Sequence, residues 1–262
     1  MYTIRNFQEN ENIKSLANLG AFVVLEHQVD LSVAKEQAIQ EYYASKMNVK
    51  KKQLLCDLSK SNVILQAGAM QWMVGDVNMN SGVKGAGDLI RKMFKGAVTK
   101  ESVIKPEYTG TGKVILEPTY KHIILLDVGE WGGSLTVEDG MFLASEASLS
   151  QKVVMRSNLS SAALGGEGLF NLSLNGSGIV ALESDVPIQE LIEIELNNDV
   201  LKIDGNMAVA WTSGLQFTVE RASRNLIGSA ASGEGLVNVY KGTGRVLMAP
   251  VQSAPKPLLP TK

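Results

Sequence analysis

The chain has 262 residues, a formal charge of −2 and a pI near 5.8, so it lacks the basic field that an obligate polyanion binder needs. Aromatic residues make up only 6 %, leaving few platforms for stacking bases, and nucleic acid is not an expected partner. The single cysteine, Cys56, excludes an intramolecular disulfide and fits a reducing compartment. Between Leu54-Leu55 and Asp57-Leu58 it reads as a small buried hydrophobe rather than a catalytic thiol.

Residues 1–51 differ in character from the rest and form an N-terminal strand–helix extension. The start, Met1-Tyr2-Thr3-Ile4-Arg5-Asn6-Phe7, has no hydrophobic signal core. No apolar run in the chain approaches the ~20 residues that a membrane span needs. Gly20–Glu26 predicts a strand, and Ser32 predicts the cap of a helix from Val33 to Met47. Ala38, Ile39, Tyr42 and Tyr43 fall on one side of that helix, opposite Lys35, Gln37 and Glu41, and predict a face packed on a β core. Lys46, Lys50, Lys51 and Lys52 follow as a charged edge.

From residue 52 the strand period takes over. Ile192, Ile194 and Leu196 alternate with Glu193 and Glu195, and Phe170, Leu172 and Leu174 with Asn171 and Ser173. Val114-Ile115-Leu116 and Ile123-Ile124-Leu125-Leu126 are apolar on both faces, as strands buried between two layers or at a subunit contact are. Many short strands, glycine turns and almost no helix predict a sandwich or barrel. One insertion interrupts them. Gly82-Val83-Lys84-Gly85-Ala86-Gly87 leads into Asp88–Lys95, and three readings stand: a crossover helix packing Leu89, Ile90, Met93 and Phe94 on the barrel, a phosphate cradle, or a basic surface. In the last, Lys84, Arg91, Lys92 and Lys95 meet a membrane or another anionic partner. Residues 251–262 predict a Pro-rich extended tail.

A repeat organises this β region. Gly110-Thr111-Gly112, Gly176-Ser177-Gly178 and Gly242-Thr243-Gly244 each open an apolar strand, at intervals of 176 − 110 = 66 and 242 − 176 = 66. Upstream of them stand Glu101, Glu167 and Glu234, at offsets of 9, 9 and 8 residues. A glycine beside a methionine recurs farther upstream, at Gly68-Ala69-Met70, Gly140-Met141 and Gly205-Asn206-Met207. In the last two copies Asp139 and Asp204 precede the glycine, an Asp-Gly turn signal. The expected architecture is mostly β: three tandem repeats over about 52–118, 119–184 and 185–250 in a barrel-like arrangement with pseudo-threefold symmetry.

Chemistry is sparse. Gly110-Thr111-Gly112-Lys113 lacks the hydroxyl residue of a phosphate loop and is followed by a strand, not a helix. With only His27 and His122, 95 residues apart, a multi-histidine metal centre cannot be built within one chain, and neither sits in an obvious nucleophile constellation of the kind most triads build on a histidine. Each histidine reads as a strand residue in a hydrogen-bonded setting. Glu101, Glu167 and Glu234 are the remaining ligand candidates: near a common axis they share a cation or raise one another's pKa, and otherwise they are water-facing turn residues. Trp72, Trp131 and Trp211 read as core or interface residues. No catalytic residue, metal site or cofactor is expected.

Gln66-Ala67-Gly68-Ala69-Met70-Gln71-Trp72-Met73, the threefold Gly-Thr/Ser-Gly strand and the Gly-Glu-Gly-Leu turns resemble a bacterial member of the mitochondrial-biogenesis family founded on yeast altered inheritance of mitochondria protein twenty-four. The resemblance covers roughly residues 52–250. It implies three repeats in a double-stranded β-helix similar to the tryptophan RNA-binding attenuation protein, assembled as oligomers. The yeast relative is tied to mitochondrial inner-membrane organisation. The resulting expectation is a non-enzymatic homo-oligomeric scaffold or interaction protein of the cytoplasm, with peripheral membrane contact and an unknown protein partner left open. An RNA- or small-ligand-binding regulator is the alternative by fold analogy, and an enzyme using Glu101, Glu167 and Glu234 the remote one.

Overall fold

The structure, a computed structural model, describes residues 2–81, 105–155, 170–221 and 236–251. Its elements follow the apolar patterning closely. The N-terminal extension holds β1 (Ile13–Leu19), β2 (Phe22–His27) and the only α-helix among the described residues, α1 (Ala38–Lys46). Next come β3 (Lys52–Asp57), β4 (Val63–Leu65), β5 (Met70–Asn80) and β6 (Glu107–Leu116). The middle of the chain supplies β7 (His122–Asp127), β8 (Ser134–Val137), β9 (Phe142–Glu146), β10 (Ser150–Met155), β11 (Phe170–Asn175) and β12 (Ile179–Ser184). The last strands are β13 (Ile192–Asp204), β14 (Ala208–Thr212), β15 (Gln216–Arg221) and β16 (Leu236–Met248).

Two antiparallel sheets result. The first runs β1-β2-β3-β6-β4-β9-β12-β7, with β5 on the other edge of β6. It curls until β3 meets the turn before β7, where Lys52 N–H donates to Thr119 O at 2.7 Å and Thr119 N–H returns the bond at 2.8 Å. This nearly closed barrel encloses Leu54, Cys56, Val63, Leu65, Val114, Leu116 and Ala181. The second sheet, β10-β11-β8-β14-β16-β13 with β15 beside β16, forms a half-barrel. Its core includes Trp211, stacked 5.4 Å from Phe217 and edge-on to Tyr240 at 5.2 Å.

Both-face apolar runs end between layers as their composition requires. Val114 and Leu116 point into the barrel while Ile115 packs outward with Val23, Leu25 and Leu55, beneath Phe7 and Trp72. Trp131 and Trp211 are buried. The Arg245 guanidinium lies 4.5 Å from the centre of the Trp131 ring and pairs with Glu193 at 3.1 Å. The polar face of β11 is buried too, because β8 and β10 flank it: Ser173 Oγ lies 3.1 Å from Ser213 Oγ, itself 2.8 Å from Thr136 Oγ1.

The glycine motifs occupy corresponding places. Gly68, Gly140 and Gly205 all take positive φ, in the turns before β5, β9 and β14. After each turn a carbonyl, of Ala69, Met141 or Met207, accepts from the N–H of Glu117, Glu183 or Ala249 at 2.7–2.8 Å. A register shift follows each time, between Met70 and Trp72, at Ala181/Leu182 opposite β9, and between Ala208 and Ala210. Gly110, Gly176 and Gly242 have φ of 112°, 122° and 128°. At Gly110 a Cβ would stand 2.2 Å from the Asp76 carbonyl oxygen, so close approach and backbone conformation both require glycine.

Beyond the β2–β3 ladder, one carboxylate ties the extension to the barrel. Glu146 Oε1 accepts from Ala21 N–H at 2.9 Å and Oε2 from Ile179 N–H at 3.0 Å, bridging the β1–β2 turn to β12. The helix differs from expectation. It begins at Ala38 rather than Val33, Gln37 stands at its N-cap without a side-chain bond, and Ser32 caps nothing. No residue of α1 is buried, and Ile39 and Tyr43 are 74 % and 65 % exposed. The segment 28–37 lifts the helix off the sheet edge, so its apolar residues have no β layer beneath them.

Candidate functional site

The space under the raised helix is a cavity of about 690 Å³. β2 and β3 are paired with Leu25 opposite Gln53, which sets His27 and Gln53 on neighbouring strands at its floor. His27 Nε2 lies 2.8 Å from Gln53 Oε1, and Gln53 Nε2 donates to Gln71 Oε1 at 2.8 Å and to Leu116 O at 3.0 Å. Gln53 is thereby fully engaged although it sits in the apolar run Leu54-Leu55-Cys56. The walls carry Tyr42 and Glu41 from α1, Tyr120 from the turn before β7, and Lys50 and Lys51 before β3. Tyr120 donates its hydroxyl to Glu41 at 3.4 Å, and Lys51 Nζ lies 5.9 Å from the Tyr120 ring centre. Lys51 also pairs with Asp30; that bond holds the Asp30 carboxyl below its ordinary range and raises Lys51.

Next to this floor lies a buried ionic group. Lys52 Nζ is 3.6 Å from Glu26 Oε2, with both side chains almost fully enclosed, and Lys50 Nζ is 3.6 Å from Glu26 Oε1. Lys52 also donates to the Lys50 carbonyl at 3.1 Å. Burial pushes the Lys52 ammonium pKa down despite the Glu26 charge beside it. His122, first residue of β7, is lowered as well, mainly by burial and then by the Lys52 charge.

The polar side chains of the floor are paired with one another. His27 faces an amide, not a hydroxyl it would activate or a carboxylate that would orient it. Cys56 is wholly buried in the barrel, where desolvation drives its thiol pKa far above the ordinary range and keeps the thiolate scarce. Among the described residues no group of three or more His, Cys, Asp or Glu side chains is placed to hold a metal ion. No helix among them is long and apolar enough to cross a membrane. The ligand candidates Glu101, Glu167 and Glu234 and the basic residues Lys84, Arg91, Lys92 and Lys95 lie outside the described residues. Sequence reading overlooked the His27–Gln53–Gln71 relay. Its one signal was a glutamine beside each of two apolar stretches, Gln53 before Leu54-Leu55-Cys56 and Gln71 between Met70 and Trp72-Met73.

A family model, Mitochondrial biogenesis AIM24, matches residues 43–251, the stretch that holds the three glycine turns. The chain belongs to the AIM24 family. The match takes in every strand from β3 onward and stops short of β1 and β2. Among solved structures, the X-ray crystal structure of protein SPYM3_0169 from Streptococcus pyogenes is similar at 25 % identity and a TM-score of 0.56, covering 78 % of this chain and 89 % of that one. No curated protein matches. AIM24 membership therefore accounts for the β architecture, while the cavity stands where the AIM24 region meets an extension that begins outside it.

Proposed function

We propose that this AIM24 protein is a non-enzymatic, oligomeric β scaffold built from three copies of one unit. The observation that carries this reading is a joint between units that occurs twice. Val63-Ile64-Leu65 of β4 pairs with Glu146-Ser145-Ala144 of β9, and Leu135-Thr136-Val137 of β8 pairs with Thr212-Trp211-Ala210 of β14. The matched glycine turns and the 66-residue spacing of the three N–H donors, Glu117, Glu183 and Ala249, support copying of a single unit. The pseudo-threefold arrangement expected from the sequence would pair β13 with β5 within one chain, a pairing absent among the described residues, and it is not part of this reading.

The engaged states of His27 and Cys56 favour interaction over catalysis. So does the apolar surface of the extension: Leu31, Ile39, Tyr43 and Met47 are 83 %, 74 %, 65 % and 78 % exposed, a density that marks contact surfaces. Peripheral membrane contact belongs to this proposal on the strength of the sequence at Lys84, Arg91, Lys92 and Lys95. Light scattering of the purified full chain tests the assembly, with a multiple of 28.2 kDa expected at micromolar concentration. A single-chain mass under those conditions removes the scaffold reading.

A further inference from the structure

Among the described residues, the joint that links neighbouring units has one half left over in the first unit and the other in the last. The missing third joint is fixed by register. Val63, Leu135 and Leu201 lie opposite Tyr108, Leu174 and Tyr240, which are 66 residues apart. Trp72, Ala144 and Ala210 likewise lie opposite Ile115, Ala181 and Leu247, again 66 apart. Leu201–Ile203 thus corresponds to the first half of each formed joint and Trp72–Val74 to the second. Among the described residues β5 pairs only with β6, and β13 only with β16. Both segments therefore offer one edge with no strand on it.

We propose that these two edges join separate copies of the chain: Leu201–Ile203 of one pairs antiparallel with Trp72–Val74 of a second, with Leu201 opposite Val74, Lys202 opposite Met73 and Ile203 opposite Trp72. The occupant is another copy because each half finds its counterpart on the same polypeptide, in the geometry already used at β4–β9 and β8–β14. Open sheet edges are templates for such pairing. Lys202 at the centre of one edge disfavours β13 meeting β13, since like charges would face each other, whereas Met73 is neutral and 44 % exposed. The contact is head-to-tail, and such contacts close into a ring or extend. The Phe7 ring, edge-on to Trp72 at 5.5 Å, covers a face of β5 and makes no backbone bond to its edge.

This inference rests on the oligomeric reading, and the experiment separates the two. Chains carrying Met73→Cys and chains carrying Lys202→Cys are mixed under mild oxidation, with the enclosed Cys56 left in place. A disulfide-linked dimer is expected from the mixture and from neither variant alone. Met73→Lys, which sets two lysines opposite each other, is expected to reduce the mass to a single chain with unchanged melting. Adding Lys202→Glu restores the oligomer. A parent that is itself monomeric overturns both proposals. An oligomeric parent that gives no mixed disulfide and keeps its mass with Met73→Lys overturns the edge joint alone. A disulfide closing within one chain of the Met73→Cys/Lys202→Cys double variant also overturns it, because the edges would then meet inside the molecule.

Discussion

Lys52 is the residue where the fold takes its largest electrostatic risk, and Glu26 is what makes it tolerable. A buried charge stripped of its partner costs roughly 3–5 kcal/mol, whereas replacing the pair by apolar groups is often neutral. Glu26→Ala is expected to destabilise by about that amount in urea titration, and Lys52→Met added to it should recover most of the loss. His122 gives the same region a pH response. Its folded pKa is depressed below the ordinary histidine value of about 6.5, so the unfolded chain binds the proton first. Stability is then full above 6.5 and falls as the pH drops below it; His122→Gln should flatten that slope in melting curves taken between about pH 5 and 7.

At the scale of elements, the extension is coupled to the barrel through Glu146, which serves two backbone donors that no ladder reaches. Glu146→Ala should leave the barrel folded while the β1–β2 turn loosens, read as faster hydrogen exchange at Ala21 with little change at Leu54 or Val114. Strands were legible in the sequence because burial on one or two faces writes itself as alternation or as a solid apolar run, as in Ile192–Leu196 and Val114–Leu116. The glycine turns were legible because positive φ admits few residues. The helix was misjudged for a physical reason. An apolar stripe at Ala38, Ile39, Tyr42 and Tyr43 implies a covering layer, yet no periodicity records that residues 28–37 hold the helix away from it. The cavity was invisible for the same reason: its floor is three polar side chains brought together from β2, β3 and β5, far apart in the chain.

For the molecule as a whole, the barrel and half-barrel share an apolar interior rather than merely touching: Ile124, Val180 and Leu182 of the first sheet pack in one cluster with Leu135, Val137 and Leu172 of the second. One run of chain serves the second sheet as β11, turns at Gly176-Ser177-Gly178, and serves the first as β12. The matching strands β6 and β16 pass through their glycines without leaving their sheets. The two halves are therefore tied by a continuous chain through this turn and by one common interior, which leaves little slack for one to swing against the other. Heat or denaturant that dissolves either half strips cover from apolar side chains of the other, so the pair is expected to melt as a unit, and a partner that grips one end pulls on the far end as well.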